Sequence, residues 1–303
     1  MSYKTCIESL IENITPNENG PIEVDIILDA GAFNGIYLYG SLLYMSELEK
    51  KGIIKIHRVS GASIGAICGA FFLLGKLDEI EELYKTMRDK IREETYFQGF
   101  YDILKTRFKS LPKNEFKKLN GRLFLNYHCT KEKKPIIISE YTSNFDIIDK
   151  LYRTSFLPFL INGDLTTEGY IDGMNPHIFK DRKRKIIYLN LISIDRIKSI
   201  LNTKHEKNAS SRAMTGIMQT HDFFLTKKPN VLCSWVNEWT LKDFGIYRMR
   251  EVLCLIGVYM MSWLIILSKK VPNLITEGHF LKLFMNIAHK FYSDCLVYFM
   301  FEF

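Results

Sequence analysis

Gly61-Ala62-Ser63-Ile64-Gly65 and Tyr170-Ile171-Asp172-Gly173-Met174 hold the two side chains of this chain best suited to chemistry, a serine and an aspartate each set among glycines. A serine hydroxyl becomes a nucleophile when a base within hydrogen-bond reach takes its proton, and a partly desolvated carboxylate can do this without histidine. Glycines two positions to either side of Ser63 suit a sharp strand-to-helix turn, where backbone crowding leaves no room for Cβ atoms and the serine Oγ projects into a cleft. At the start of a helix, the positive end of the backbone dipole also favours an anionic oxygen. Upstream, Asp29-Ala30-Gly31-Ala32-Phe33-Asn34-Gly35 carries small side chains that leave backbone N–H groups open. A pair of them aimed at one point would stabilise a tetrahedral oxyanion. Taken singly, each stretch has a bland reading as a tight turn, Asp-Gly above all. The upstream loop has a further reading as a phosphate cradle, against which stands the missing GK[ST] ending.

The surrounding elements must bring these stretches together. Val24 to Leu28 is a branched apolar run that reads as a buried strand, followed by the small-residue turn and by apolar positions at helical spacing from Gly35 to Gly52. The arrangement repeats with Ile54 to Ser60 as strand, Gly61 to Gly65 as turn and Ala66 to Leu74 as helix. Alternation of this kind predicts a parallel α/β sheet, with both turns at one sheet edge. Leu77 to Glu94 predicts an amphipathic surface helix and Phe145 to Ser155 another helix. Leu123 to Tyr127, Ile136 to Ser139 and Ile186 to Ile192 predict further strands.

Composition excludes several classes. With 303 residues, 47% hydrophobic and 25% charged, the chain is globular and long enough to bury a sizeable core. The net charge of +7 gathers in runs such as Lys131 to Lys134 and Lys180 to Lys185, which suit a solvated surface or anionic lipid headgroups. No zinc-finger, RNA-recognition or basic-zipper context surrounds them, so no nucleic acid partner is expected. Six cysteines lie singly without metal or disulfide spacing, and the acidic first twenty residues lack a secretory h-region. An intracellular, cytoplasmic setting with no metal and no cofactor is therefore expected. Val252 to Leu267 is an apolar run between Arg248, Arg250 and Lys269, Lys270, open to three readings: a core helix, an interfacial membrane helix or a single membrane span.

The three stretches in this order resemble the patatin-like phospholipase family, which has a DGGGxRG-type loop after its first strand, a GxSxG elbow shortly downstream and a DG[GA] turn much later. The resemblance runs over roughly residues 22 to 195. It also takes in Tyr152-Arg153-Thr154-Ser155-Phe156-Leu157-Pro158, similar to the segment that precedes the family's aspartate, and Asn175-Pro176, similar to the residues just past the family's DG turn. It implies a three-layer α/β/α sandwich with a mostly parallel central sheet. Residues 22–200 would be the catalytic domain and 201–303 a helical C-terminal extension, packed on the core or against a membrane.

The resemblance further implies a Ser-Asp dyad, with Ser63 as nucleophile, Asp172 as base, and the Gly31 and Ala32 amides as oxyanion donors. Gly35, Gly61, Gly65 and Gly173 would be motif glycines. The expected activity is phospholipase A-type hydrolysis of a phospholipid or other acyl-lipid at a membrane surface. The sequence departs from the family pattern at Ala30 and Ala32 (usually glycine), Asn34 (usually arginine or lysine) and Met174 (usually glycine or alanine). These departures motivate an alternative, a catalytically impaired lipid-binding or membrane scaffold. A third reading adds His177, His205 or His221 after Asp172 to make a Ser-His-Asp set.

Overall fold

β-Branched residues make up most of Ile22–Leu28 (β1) and supply the apolar positions Ile54, Ile56 and Val59 of Ile54–Gly61 (β2), and both runs lie at the centre of the sheet. The computed structural model describes residues 3–93, 99–109, 111–158, 161–181, 183–193, 196 and 209–270. Within them the order is α1 (Tyr3–Ile11), β1, α2 (Gly35–Lys50), β2, α3 (Ile64–Leu73), α4 (Asp78–Glu93), α5 (Phe100–Lys109), β3 (Leu123–Cys129) and β4 (Lys134–Ile138). There follow α6 (Asn144–Thr154), β5 (Tyr170–Ile171), β6 (Lys185–Leu189), α7 (Ala209–Thr226), β7 (Cys233–Trp235) and α8 (Leu241–Lys270).

The strands run in the order β4-β3-β2-β1-β6-β7, with β5 also on β3. Neighbours among β3, β2, β1 and β6 are parallel, as the strand-turn-helix repeats predict. At the margins the sheet is antiparallel, where β4 and β5 pair with β3 and β7 pairs with β6. The sheet therefore has a parallel centre and antiparallel flanks, and the chain beyond residue 200 contributes to it through β7. Strand 6 ends at Leu189, three residues earlier than predicted, and the Asn190 side chain then accepts the N–H of Ile192 in a turn.

Val24, Ile26 and Leu28 point from β1 into a large apolar cluster shared with α1, α2, α3, α6 and α7. Each fully buried side chain of this size contributes about 1.5–3 kcal/mol. Glycines let α2 and α7 approach closely, since a Cβ on Gly40 would lie 1.9 Å from the Ala213 carbonyl oxygen. Ile27 points the other way, into a smaller cluster with Phe179, Ile186, Tyr188, Val236 and Tyr247. The first turns of α8 cover that second face, so the two faces carry the outer layers of a three-layer α/β/α arrangement. Residues 252–267 lie inside α8, which starts at Leu241. No helix among the described residues is long and apolar enough to cross a membrane.

Candidate active site

Ser63 sits between β2 and α3 with φ 52° and ψ −127°, a conformation sterically unfavourable for any residue with a Cβ. The glycines explain how the turn fits. A Cβ on Gly61 would meet the backbone N of Ala66 at 2.5 Å, and one on Gly65 would meet the carbonyl oxygens of Leu28 and Asp29 at 2.3 and 2.6 Å. Helix α3 is thus pressed against the end of β1, with the serine at its N-terminus.

Strand pairing brings the aspartate to the same place. β2 accompanies β3 only as far as Gly61 opposite Leu125, where the chain turns into Ser63. β4 occupies the other edge of β3, so β5 takes the edge that β2 vacates, running antiparallel opposite His128 and Cys129. The chain leaving β5 at Ile171 therefore heads back toward the end of β2, and Asp172 is the next residue.

A network of buried polar groups ties the two turns. The Ser63 N–H donates to Thr154 Oγ1 at 3.1 Å, and that hydroxyl donates to the Asn126 carbonyl at 2.5 Å. Asn126 Nδ2 donates to the carbonyls of Gly173 and Asn175 at 3.1 and 2.7 Å. The Asp172 N–H reaches the Phe156 carbonyl at 2.9 Å. Gly173 has no room for a side chain, because a Cβ there would lie 2.1 Å from the Asn126 carbonyl oxygen.

Asp172 is 2% exposed and Ser63 5% exposed. Burial pushes the Asp172 carboxyl up to about 6, while the neighbouring Ser63 hydroxyl and the Met174 N–H, 2.6 Å from Oδ1, pull it down. Oδ2 is buried without a hydrogen bond of regular geometry. The Ser63 hydroxyl is thus close enough to lower the carboxyl's pKa, without a hydrogen bond of regular geometry to Oδ2.

The loop after β1 lies alongside the elbow, since a Cβ on Gly35 would meet Ile64 Cγ1 at 2.3 Å. Its alanines differ in consequence. Ala32 has φ 43°, in the region that favours glycine, and Ala30 does not. Met174 likewise has φ 57°. Asn34 is fully buried, and its Nδ2 donates to the carbonyls of Leu191 and Arg196 at 3.1 and 3.0 Å, which anchors the loop. The loop, the elbow and α4 enclose a pocket of about 70 Å³ at Ser63, walled by Phe33, Ile36, Ile67, Leu83, Tyr84, Met87, Leu157 and other mostly apolar residues. Ser155 also lines it, with a buried hydroxyl that has no partner.

The histidines have other company. His177 stacks on Phe124 and meets Phe179 edge-on, and His221 is hydrogen-bonded to the Tyr44 hydroxyl at 2.9 Å. Burial lowers the pKa of both. His205 lies outside the described residues. Among the described residues the Ser63 hydroxyl and the Met174 N–H are the groups that offset burial at Asp172, so neither His177 nor His221 supports a Ser-His-Asp set. No group of three or more His, Cys, Asp or Glu among the described residues is arranged to hold a metal.

Sequence reasoning passed over Thr154, Asn126 and Arg250. Asn126 offered one signal, an amide inside the otherwise apolar and aromatic run Leu123 to Tyr127. Arg250 offered none beyond its charge. Its Nη1 and Nη2 donate to the Asp29 carboxylate at 2.9 and 2.7 Å, and its Nε donates to Asn175 Oδ1 at 2.7 Å.

Known proteins resemble this arrangement. A region of 167 residues, 49% of this chain, is 24% identical to the omega-hydroxyceramide transacylase of Mus musculus, of which it covers 26%. The Homo sapiens protein of the same name is 24% identical over 160 residues, 30% of its length. The 1-acylglycerol-3-phosphate O-acyltransferase Pnpla3 of Mus musculus is 25% identical over 151 residues, 46% of this chain and 37% of that protein. The chain thus spans between 26% and 37% of the length of these curated relatives. The crystal structure of VipD from Legionella pneumophila superposes with a TM-score of 0.36 at 12% identity, covering 58% of this chain and 52% of that one. The family model of the patatin-like phospholipases matches residues 26–176, from β1 through the Asp172 turn, and the chain belongs to that family through this domain.

Proposed function

We propose that this chain is a lipid acyl hydrolase of phospholipase A type, a carboxylic ester hydrolase working through Ser63 and Asp172. The observation that carries the reading is the buried Asp172 carboxyl, raised to about 6 and adjacent to a strained serine at the mouth of an apolar pocket. At neutral pH the carboxylate is ionised yet basic enough to take the Ser63 proton as Oγ attacks the ester carbonyl. The N–H groups of Gly31 and Ala32 then face the developing oxyanion, and each such donor typically lowers the barrier by about 3 kcal/mol. Protonated Asp172 returns its proton to the leaving alcohol. Water, deprotonated by the same carboxylate, cleaves the acyl-Ser63 ester and releases the fatty acid. The apolar pocket takes the first part of the acyl chain.

Residues 22–200 form the catalytic unit in this reading, and the C-terminal residues 201–303 complete and dock it. α8 exposes Met249, Leu253, Met260 and Trp263, a set suited to the interface of a membrane from the cytoplasmic side. The names of the relatives favour a second outcome from the same intermediate, transfer of the acyl group to an alcohol acceptor in place of water.

The test is release of fatty acid from phosphatidylcholine vesicles containing phosphatidylglycerol, with and without an added long-chain alcohol. Wild-type protein should be active and Ser63→Ala and Asp172→Asn inactive. Equal turnover by all three refutes the dyad. Vesicle binding without turnover, and without fluorophosphonate labelling of Ser63, leaves the lipid-binding scaffold as the better description.

A further inference from the structure

Arg250 comes from the third turn of α8, far beyond residue 176 where the matched domain ends, yet it reaches both loops of the site. Its two terminal nitrogens grip the two oxygens of Asp29, the residue at the root of the Gly31-Ala32 loop. Its Nε donates to the side chain of Asn175, three residues after Asp172, and Nη2 also donates to Tyr188 Oη at 3.2 Å. The Asp29 side chain is fully buried and that of Arg250 is 20% exposed. Asp29 Oδ2 accepts in addition the N–H of Leu191 at 3.1 Å. The helix reinforces the grip one turn earlier, where the Tyr247 carbonyl accepts from Asn175 Nδ2 at 2.8 Å and the Tyr247 hydroxyl donates to the Pro176 carbonyl.

A guanidinium is a rigid plane whose donors hold fixed angles to one another. Two acceptors bound to different edges of that plane cannot change their separation without breaking a bond. We propose that Arg250 is a positioning residue, the spacer that fixes the oxyanion loop relative to the Asp172 turn, so that α8 is part of the catalytic assembly as well as a cover for the sheet. The inference rests on the Ser63–Asp172 reading above. It accounts for how a loop bearing Ala32 at positive φ keeps its N–H groups aimed: Asn34 holds one end through Leu191 and Arg196, and Asp29 is held at the other end by Arg250.

Arg250→Lys keeps the charge and loses the fork, and Asn175→Ser removes the Nε acceptor together with the bond to the Tyr247 carbonyl while leaving the Asp29 pair intact. In the full-length protein, both variants should melt within a few degrees of wild type. Both should slow the labelling of Ser63 by a fluorophosphonate and reduce kcat on mixed phosphatidylcholine and phosphatidylglycerol vesicles at least tenfold, with KM within about twofold. Arg250→Met should lose more. If it does not fold, Arg250→Lys and Asn175→Ser decide the matter. A purely structural role predicts lowered melting temperatures with unchanged kcat and labelling rate in the folded fraction, and that result overturns the proposal alone. A wild-type protein that never labels at Ser63 overturns the dyad and this inference together.

Discussion

Val24, Ile26 and Leu28 leave one face of β1 for an apolar cluster with α2 and α3, whereas Asp25, Ile27 and Asp29 leave the other, two of the three being fully buried carboxylates. The first face is held by burial, which is non-directional and tolerates adjustment. The second is held by arginines. Asp25 Oδ2 accepts from Arg58 Nη2 at 2.5 Å and from Arg184 Nη1 at 3.3 Å, and Arg58 also lies 4.2 Å from the centre of the Phe179 ring. Asp29 pairs with Arg250. Buried ion pairs contribute little net stability, but they fix geometry, and leaving one partner behind is costly. The apolar face thus builds the sheet, and the ionic face fixes the two β1 carboxylates against arginines brought from elsewhere in the chain.

Removal of the proposed Ser63–Asp172 dyad should have the largest effect. Ser63→Ala should lower esterase turnover by at least about 10³-fold while melting near wild type, because the hydroxyl contributes to chemistry and little to packing. Turnover assays on vesicles, with circular dichroism as the folding control, check both parts. A drop of less than tenfold would separate the activity from this edge altogether.

Next comes a probe of the apolar side. Gly65→Ala places a methyl group 2.3 Å from the Leu28 carbonyl oxygen, where the obstacle is the backbone of a central strand and cannot step aside. A loss of roughly 3 kcal/mol or more is expected from such overpacking, read from urea unfolding. The ionic side gives a smaller loss. Arg58→Met removes one of the two arginines on Asp25 but leaves Arg184, so the cost should stay near 2 kcal/mol, below the 3–5 kcal/mol of a fully orphaned buried charge. Asp25 sits about 13 Å up the strand from Asp29. Arg58→Met should accordingly spare kcat, in contrast to substitutions at Arg250. A matching fall in kcat would erase the distinction between the two ends of that face.

Much of the apolar face was legible in the sequence, because strand-turn-helix units announce themselves through local periodicity. β1, α2, β2, α3, β3, α6 and the Ser63 elbow all fall close to their predicted positions. The ionic face was not legible. β5 has two residues and β7 three, too short to show alternation, and each exists through pairing with a strand distant in sequence. Arg250 reaches Asp29 over more than two hundred residues, and no spacing rule records such a contact. One clue was available at Asp25, a carboxylate inside an otherwise branched apolar run, which must find a cation once buried. The loop departures were visible but not their meaning. Backbone geometry separates Ala32, which takes a glycine conformation, from Ala30, which does not.

Asp172 links activity and stability with opposite signs. Its folded-state pKa of about 6 exceeds the ordinary 3.8, so the folded protein binds this proton more tightly than the unfolded chain. The stabilisation from that proton is full below about pH 4 and is lost as pH rises through about 6. Catalysis needs the ionised form and should fall tenfold per unit below about pH 6. At pH 7.5 the buried charge costs up to about 3 kcal/mol, part of which Asp172→Asn should recover, while near pH 4 the substitution should bring no gain. Melting curves at the two pH values decide it, and parallel shifts at both would contradict the assigned burial of charge.

The smallest expected effect is at Ala32, between the two faces. An L-residue at φ 43° bears a strain of about 1 kcal/mol or more, which Ala32→Gly relieves. Glycine also widens the unfolded ensemble, at a cost of about 0.4–1 kcal/mol. The two nearly cancel, leaving a change in melting temperature of a few degrees at most. Labelling of Ser63 should change less than about threefold, since Asn34 and Arg250 still hold the loop from its two ends. Gly31→Ala offers the control: its backbone is extended, so no φ strain arises, but the new Cβ would meet Leu191 Cβ at 2.7 Å. If Ala32→Gly accelerates labelling tenfold while Gly31→Ala leaves it unchanged, the strain at residue 32, and not the anchoring of the loop ends, is what limits the oxyanion site.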